Sequence, residues 1–307
     1  MNKPSVDIAK YIGAPIDANL PVPVELVDIC NVSTAEPGEE MKTLTPDDGN
    51  GVDTIYTANA NGTITTVKVV LGTPTTLTFA HLQSKLEYVL VSEILDSPDQ
   101  SALGRRKAAM SRSMDKIEVK RVLDMILAVA SQEVTLDSGE DIFDLVCKLI
   151  RKVENFGTDY ILLAGTTAMA DIDDYDKANA NEFNYRIGIK EEFANRGIKK
   201  IVKVVGNIKL DGGSDAPILA AGKLILVARN SNLAAGKPIE FVRRKVSGIV
   251  GEAGGEATPE ERALYVADTP SVLYNGNSVT HGYGVFGYES IIQAVLNYRA
   301  LAWATYA

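Results

Sequence analysis

The chain has 307 residues and a mass of 33.0 kDa, with 46% hydrophobic and 23% charged residues and a mean hydropathy of +0.01. This is the composition of a folded soluble protein, which excludes a disordered chain, and no apolar run approaches the length of a membrane span. Forty acidic against 31 basic residues give a net charge of −9 and a pI near 4.9, which argues against gripping a phosphate backbone as the main activity.

The amino terminus lacks the apolar core of a signal peptide, so an intracellular origin is expected. The two cysteines, Cys30 and Cys147, lie far apart, and the expectation is a pair of reduced, buried thiols rather than a disulfide framework or a cysteine zinc site. Residues 1–51 hold six of the twelve prolines, Pro4, Pro15, Pro21, Pro23, Pro37 and Pro46. That spacing rules out a sustained helix. With Ile12, Leu20, Val22, Val24, Leu26, Val27 and Ile29 interspersed, the segment reads as an extended arm ordered by lying on something else. Residues 52–71 place β-branched runs on both sides of Asn59-Ala60-Asn61-Gly62, a hairpin signal. Residues 75–79 form a further strand-like run, and residues 81–95 are apolar and helix-compatible.

Residues 101–132 contain no proline and one early glycine, and predict one long helix of roughly 45 Å. Met110, Met114, Ile117, Val119, Val122, Leu123, Ile126 and Ala130 continue the stripe begun at Leu103, while Arg105, Arg106, Lys107 and Arg112 cluster on the exposed face. Next, Ser138-Gly139-Glu140-Asp141 predicts a capping box before a helix over Ile142, Leu145, Val146, Leu149 and Val153, closed by Gly157. From Thr158 the pattern alternates. Residues 159–164, 198–205, 223–229 and 239–246 read as strands, 166–177 as a short helix and 248–261 as a glycine-rich loop. Residues 282–307 are compatible with strand or helix.

Signatures of chemistry are weak. Gly282-Tyr283-Gly284-Val285-Phe286-Gly287 matches a dinucleotide-binding string, but only twenty residues follow it, so a glycine-permitted turn is the expectation. Asp171, Asp173, Asp174 and Asp176 lack the oxygen ligand and glycine that a calcium loop needs, and read as a solvated helix face. The two histidines, His81 and His281, sit in no nucleophile motif, and no phosphate loop or Gly-x-Ser-x-Gly elbow is present. No catalytic residue, cofactor or metal is expected.

A proline-rich arm, a hairpin, a very long helix and a C-terminal α/β part, in that order, resemble the major capsid protein of tailed bacteriophages, the Hong Kong 97-type fold family. The resemblance covers nearly the whole chain and rests on architecture rather than on a short motif; no charged delta-like coiled-coil segment opens the chain. It implies an α+β fold with an N-terminal arm (1–47), an extended β-hairpin loop (48–80) and a peripheral domain (81–157) carrying the spine helix 101–132. An axial α/β domain (158–307) follows, with return segments to the peripheral domain, 236–263 as a candidate excursion and Asn297 to Ala304 as the late apolar strand. The implied function is mechanical, a non-enzymatic subunit that self-assembles through pentamers and hexamers into an icosahedral shell around double-stranded DNA. Tyr56, Ile64, Val67, Val69, Arg105 and Arg106 are the expected intersubunit contacts. Scaffolding, portal or decoration proteins are further expected partners, no membrane is involved, and the expected location is the virion, assembled in the host cytoplasm. An encapsulin-like compartment shell and a soluble α/β enzyme are the alternatives.

Overall fold

The computed structural model describes residues 24–36, 39, 41–44, 75–84, 87–90, 101–179, 188–209, 213–229, 236–245, 256–257, 262–266, 271–275 and 278–306. Two sheets share one long helix, α2 (Ser101–Leu127). A five-stranded sheet runs in the order β6 (Glu133–Val134), β17 (Leu301–Thr305), β11 (Lys223–Arg229), β7 (Asp159–Ala164) and β8 (Ile198–Lys203). It is mixed: β11 runs antiparallel to both β17 and β7, whereas β7–β8 and β17–β6 are parallel.

Its inner strands, β17, β11 and β7, are apolar on both faces because both faces are covered. Tyr160, Leu162, Leu224, Leu226, Ala302 and their neighbours pack beneath α3 (Ile142–Val153), α4 (Thr166–Asn179) and α5 (Ile189–Asn195). The alternate residues Ile161, Leu163, Ile225, Val227, Leu301 and Trp303 meet Val119, Val122, Leu123 and Ile126 of α2. The strand period of two therefore sorts one run of side chains into two cores.

The second sheet is built on β16 (Ser278–Val295), 18 residues long, about 60 Å at the rise of an extended chain. Along one side it pairs in turn with β15 (Ser271–Asn275), β14 (Arg262–Val266) and β12 (Ile239–Arg244); along the other it pairs with β5 (Glu87–Leu90) and β4 (Ala80–Gln83). Beyond β14 lies β13 (Glu256–Ala257), and beyond β12 lies β1 (Cys30–Ala35), in parallel register. Ile239, Phe241, Ile291 and Leu82 point to the α2 side and join its core, whereas Val242 and Ile292 point the other way, to Ala35 and Phe79.

Several expectations are met and several are corrected. β7 and β11 have the expected bounds, and both thiols are free and buried. Helix α2 ends at Leu127 rather than Gln132. A turn intervenes before the 3-10 segment Ala130–Gln132, and Ala130 is exposed. The Trp303 indole N–H donates to the Val129 carbonyl at 3.0 Å, so a tertiary bond takes the acceptor that another helical turn would have used. The region after Phe79 is not helical where it is described: β4 and β5 are strands on β16. The glycine string 282–287 is neither a turn nor a dinucleotide loop but lies within β16. Residues 239–244 are a central strand, so no excursion begins at Gly236.

The arm, 1–47, is described only in part. In its described part, the single turn α1 (Leu26–Ile29) and β1 are held by this same chain, with Val24, Leu26, Ile29 and Cys30 buried in the main core. Residues 1–23, the hairpin 52–71 and most of 248–261 lie outside the described residues.

The capping box of α3 exists one turn later than expected. Asp141 is the N-cap and exchanges bonds with Asp144. Gly157 does not end the helix, whose C-cap is Glu154; a Cβ there would stand 2.6 Å from the Arg229 carbonyl, closer than any side chain tolerates.

The turn before α3 is tied down by Lys148, which bridges Asp137 and Glu140. The Lys148 ammonium, and then the Asp137 N–H, hold the Glu140 carboxyl below its usual range; Asp137 and then Glu140 hold the Lys148 ammonium above its own. A depressed carboxyl stabilises the fold above its unfolded pKa and loses that contribution as pH falls through the folded value. A raised amine contributes below its unfolded pKa and loses that contribution as pH rises through the folded one. The bridge therefore works on the plateau between the carboxylate and lysine ranges. Lys148→Met is expected to lower the melting temperature modestly across that plateau and to leave it unchanged below the carboxylate range. Melting curves of the unassembled subunit from pH 3 to 8 check this, and equal losses at every pH would refute it.

Candidate assembly surfaces

For a chain without a catalytic motif, the surfaces that matter are those at which the described strands lead into the remaining segments. The clearest is the pair β2 (Met41–Leu44) and β3 (Thr75–Thr78), antiparallel with Met41 opposite Thr78 and Leu44 opposite Thr75. The 30 residues between Leu44 and Thr75 leave and return through this ladder, so it is the root of the expected extended loop. Leu44 and Leu77 pack on Ala35, Phe79, Val242 and Ile292. The root thus covers the face of the β16 sheet opposite α2.

A polar row crosses that same face. Ala35 pairs with Arg244, and His81 pairs with Ser290; Arg244 lies one step beyond the pair Arg243–Ile291 and so comes level with Ser290. Arg244 donates through Nη1 to the Glu39 carbonyl at 2.9 Å and through Nη2 to Ser290 Oγ at 3.1 Å, and its guanidinium lies 5.2 Å from the centre of the Phe79 ring. His81 Nδ1 stands 2.8 Å from both Ser290 Oγ and the Tyr288 hydroxyl, with the two rings stacked at 5.8 Å. A serine beside a histidine invites a nucleophile reading. Here two hydroxyls share one ring nitrogen and Ser290 Oγ also takes an arginine N–H, an arrangement that holds strands together rather than freeing an oxygen for attack.

Other fastenings run along β1 and α1. Lys237 donates to the Val27 carbonyl and, at 3.1 Å, to the Cys30 carbonyl; Lys200 pairs with Asp28, Lys245 with Glu36, and Ser33 donates to Glu240. On the opposite face, Arg243 forks onto Glu118 of α2 at 2.8 and 2.6 Å, with Glu118 only 1% exposed. Burial pushes both thiols up, Cys30 far above the thiol range, which removes them as nucleophiles.

Among the described residues no group of histidine, cysteine, aspartate and glutamate could hold a metal ion, and no helix is long and apolar enough to cross a membrane. The acidic run on α4 has Asp173 and Asp174 exposed, with Asp173 paired to Lys190. Of the expected contacts, Tyr56, Ile64, Val67 and Val69 lie outside the described residues, and Arg105 and Arg106 lie on α2, where the backbone alone is described. Arg244, Ser290 and Glu118 were not singled out by sequence, and His81 was weighed only as a partner for a nucleophile; a pattern of single residues contains no sign of the register that aligns them.

No family model and no curated relative matches the chain. Solved structures do, over nearly full length. The chain is similar to one from Mycobacterium phage Cain (12% identity, 99% of this chain and 98% of that one, TM-score 0.58). It is also similar to the capsid structure of the cyanophage P-SCSP1u (10% identity, 96% and 91%, TM-score 0.54) and to a virus-like particle from Pyrococcus furiosus (13% identity, 92% and 92%, TM-score 0.54). A likeness end to end at such low identity speaks for architecture: the chain has the Hong Kong 97-type fold.

Proposed function

We propose that the chain is a major capsid protein, a structural subunit that closes into an icosahedral shell around double-stranded DNA. The observation that carries this is the match, over almost all of both chains, to a capsid structure and to a virus-like particle. The physics is consistent with it. A shell subunit needs a rigid body with excursions that bury their apolar residues on neighbours, and the β2–β3 root supports such an excursion.

On this reading residues 1–47 act as the arm, 48–80 as the extended loop, 81–157 as the peripheral domain and 158–307 as the axial domain with its return segments. Tyr56, Ile64, Val67 and Val69 contact neighbouring subunits, as do Arg105 and Arg106. Assembly takes place in the host cytoplasm, with scaffolding, portal or decoration proteins as partners, and the subunit performs no catalysis.

The test is size. Expressed alone or with its neighbouring genes, the protein is expected to sediment as closed particles or as rings of five and six subunits, visible by negative-stain microscopy. A compact monomer or dimer at high concentration would end the capsid reading. The Pyrococcus furiosus match is to a virus-like particle, so the contents are a separate question: nuclease-resistant DNA inside supports a virion, whereas protein cargo alone supports an encapsulin-like compartment.

A further inference from the structure

We propose that Arg244 is the positioning residue of the extended loop, a clamp that fixes the direction in which residues 45–74 leave the subunit. This rests on the capsid reading for its consequence but on the described residues for its geometry. The loop has two feet, one at Glu39 just before β2 and one at Phe79 just after β3, and Arg244 reaches both. It donates to the Glu39 carbonyl, and its guanidinium lies against the Phe79 ring. Its remaining arm donates to Ser290 in the middle of β16. Ser290 is itself tied to His81 on β4 and to Tyr288 two residues along β16.

One planar fork thus joins both feet to β16, the longest of the described strands, and the Tyr288–His81–Ser290 relay joins that strand to β4. β4 begins one residue after Phe79, so the second foot is held from both directions. A guanidinium suits this task because its donors are fixed in one plane and it stacks on an aromatic face, whereas an ammonium would offer the charge without the angle.

Neighbouring cations show the contrast. Lys42 reaches Ser33 at 3.4 Å, and Lys245 meets the exposed Glu36, point charges where Arg244 presents a planar fork. The β2–β3 ladder alone has four residue pairs, and a two-stranded ladder of that length is marginal by itself. Its orientation therefore depends on what it rests on, the small apolar cluster beneath Leu44 and Leu77 and the arginine beside it. In a closed shell the same departure angle is repeated at every subunit, so a small error in it accumulates as wrong curvature.

The experiment compares Arg244→Ala, Arg244→Lys and Lys245→Ala with the unsubstituted protein, reading two quantities apart. Subunit integrity is followed by Trp303 emission and melting temperature. Assembly is followed by the yield and diameter of closed particles in sedimentation and microscopy. Arg244→Ala is expected to keep the tryptophan environment and to give about tenfold fewer closed particles, replaced by open sheets or particles of mixed diameter, the scale expected when one charge-assisted bond is lost per subunit. Arg244→Lys should fall between, and Lys245→Ala should match the unsubstituted protein.

Closed particles of normal yield and diameter from Arg244→Ala would overturn the clamp. If the unsubstituted protein stays a monomer or dimer at high concentration, the capsid reading fails instead. Should Arg244→Ala not fold, the decision passes to Ser290→Ala, which removes one arm of the clamp at little cost in volume. Faster amide exchange at Met41–Leu44 and Thr75–Thr78, with unchanged exchange in β7 and β11, supports the clamp, and unchanged exchange at the root overturns it.

Discussion

Glu118→Ala is expected to destabilise the unassembled subunit by about 3–5 kcal/mol, the usual cost of removing one partner of a buried ion pair. Glu118 is 1% exposed and receives a two-pronged bond from Arg243, whose side chain is 20% exposed and lies 5.3 Å over the Phe241 ring. The substitution opens a small gap and takes the carboxylate from a guanidinium that the sheet holds in place. That combination sets the size of the loss. Both residues stand where α2 meets β12, so the pair fastens the long helix to the sheet at mid-length. Because removing one member of a buried pair costs more than replacing both with apolar side chains, Glu118→Leu with Arg243→Met should recover most of the stability. Urea unfolding of all the variants in a double-mutant cycle measures this. A loss under about 1 kcal/mol for Glu118→Ala would mean that the guanidinium is satisfied without Glu118.

What could be read in advance follows from how local each signal is. Helix α3 carries a seven-residue apolar period, an acidic cap and basic residues in its last turn, all within about twenty residues, and its bounds emerge at Ile142 and Val153. β7 and β11 each carry a continuous apolar run of five residues, Tyr160–Ala164 and Leu224–Ala228, which is how a strand covered on both faces reads. The long helix was legible except at its end, where the Trp303 indole, 174 residues away, takes the Val129 carbonyl. No local pattern encodes that contact.

β16 was missed for a related reason. Gly282, Gly284 and Gly287 signal turns in isolation, yet each is paired to at least one neighbouring strand in the ladder. The short strands β4 and β5 fared no better, because an apolar run of that length is ambiguous until its partner is known. The candidate surfaces divide in the same way. The hairpin signal around Asn61-Gly62 is local and was visible; the root beneath it and the Ala35, Arg244, Ser290, His81 row exist only through register between β1, β12, β16 and β4. Arm residues such as Leu26 and Ile29 looked available to a neighbour because their covering, Phe241 and Ile239 among others, lies more than 200 residues downstream.

Replacing residues 52–71 with a short Gly-Ser link is expected to leave the subunit folded and to abolish closed shells. The fold should survive because the described core contains none of those residues, and because Leu44 and Thr75 already face each other across the root. Shortening a connection between ends that already meet costs little entropy. Assembly should not survive. Ile64, Val67 and Val69 are β-branched residues in the strand that follows the turn of the expected hairpin, and on the capsid reading they are buried against neighbouring subunits. At about 1.5 kcal/mol for each buried side chain, three of them come to roughly 4–5 kcal/mol per contact. Losing that raises the subunit concentration needed for association by about a thousandfold, and every subunit of a shell pays it at once. Circular dichroism and the Trp303 signal should match the full chain while sedimentation finds only free subunits or small rings. Closed particles at ordinary concentration would show that the loop is dispensable, and the shell would then have to be held by contacts between the bodies of the subunits, with the basic face of α2 and the edge strand β8 the next surfaces to substitute.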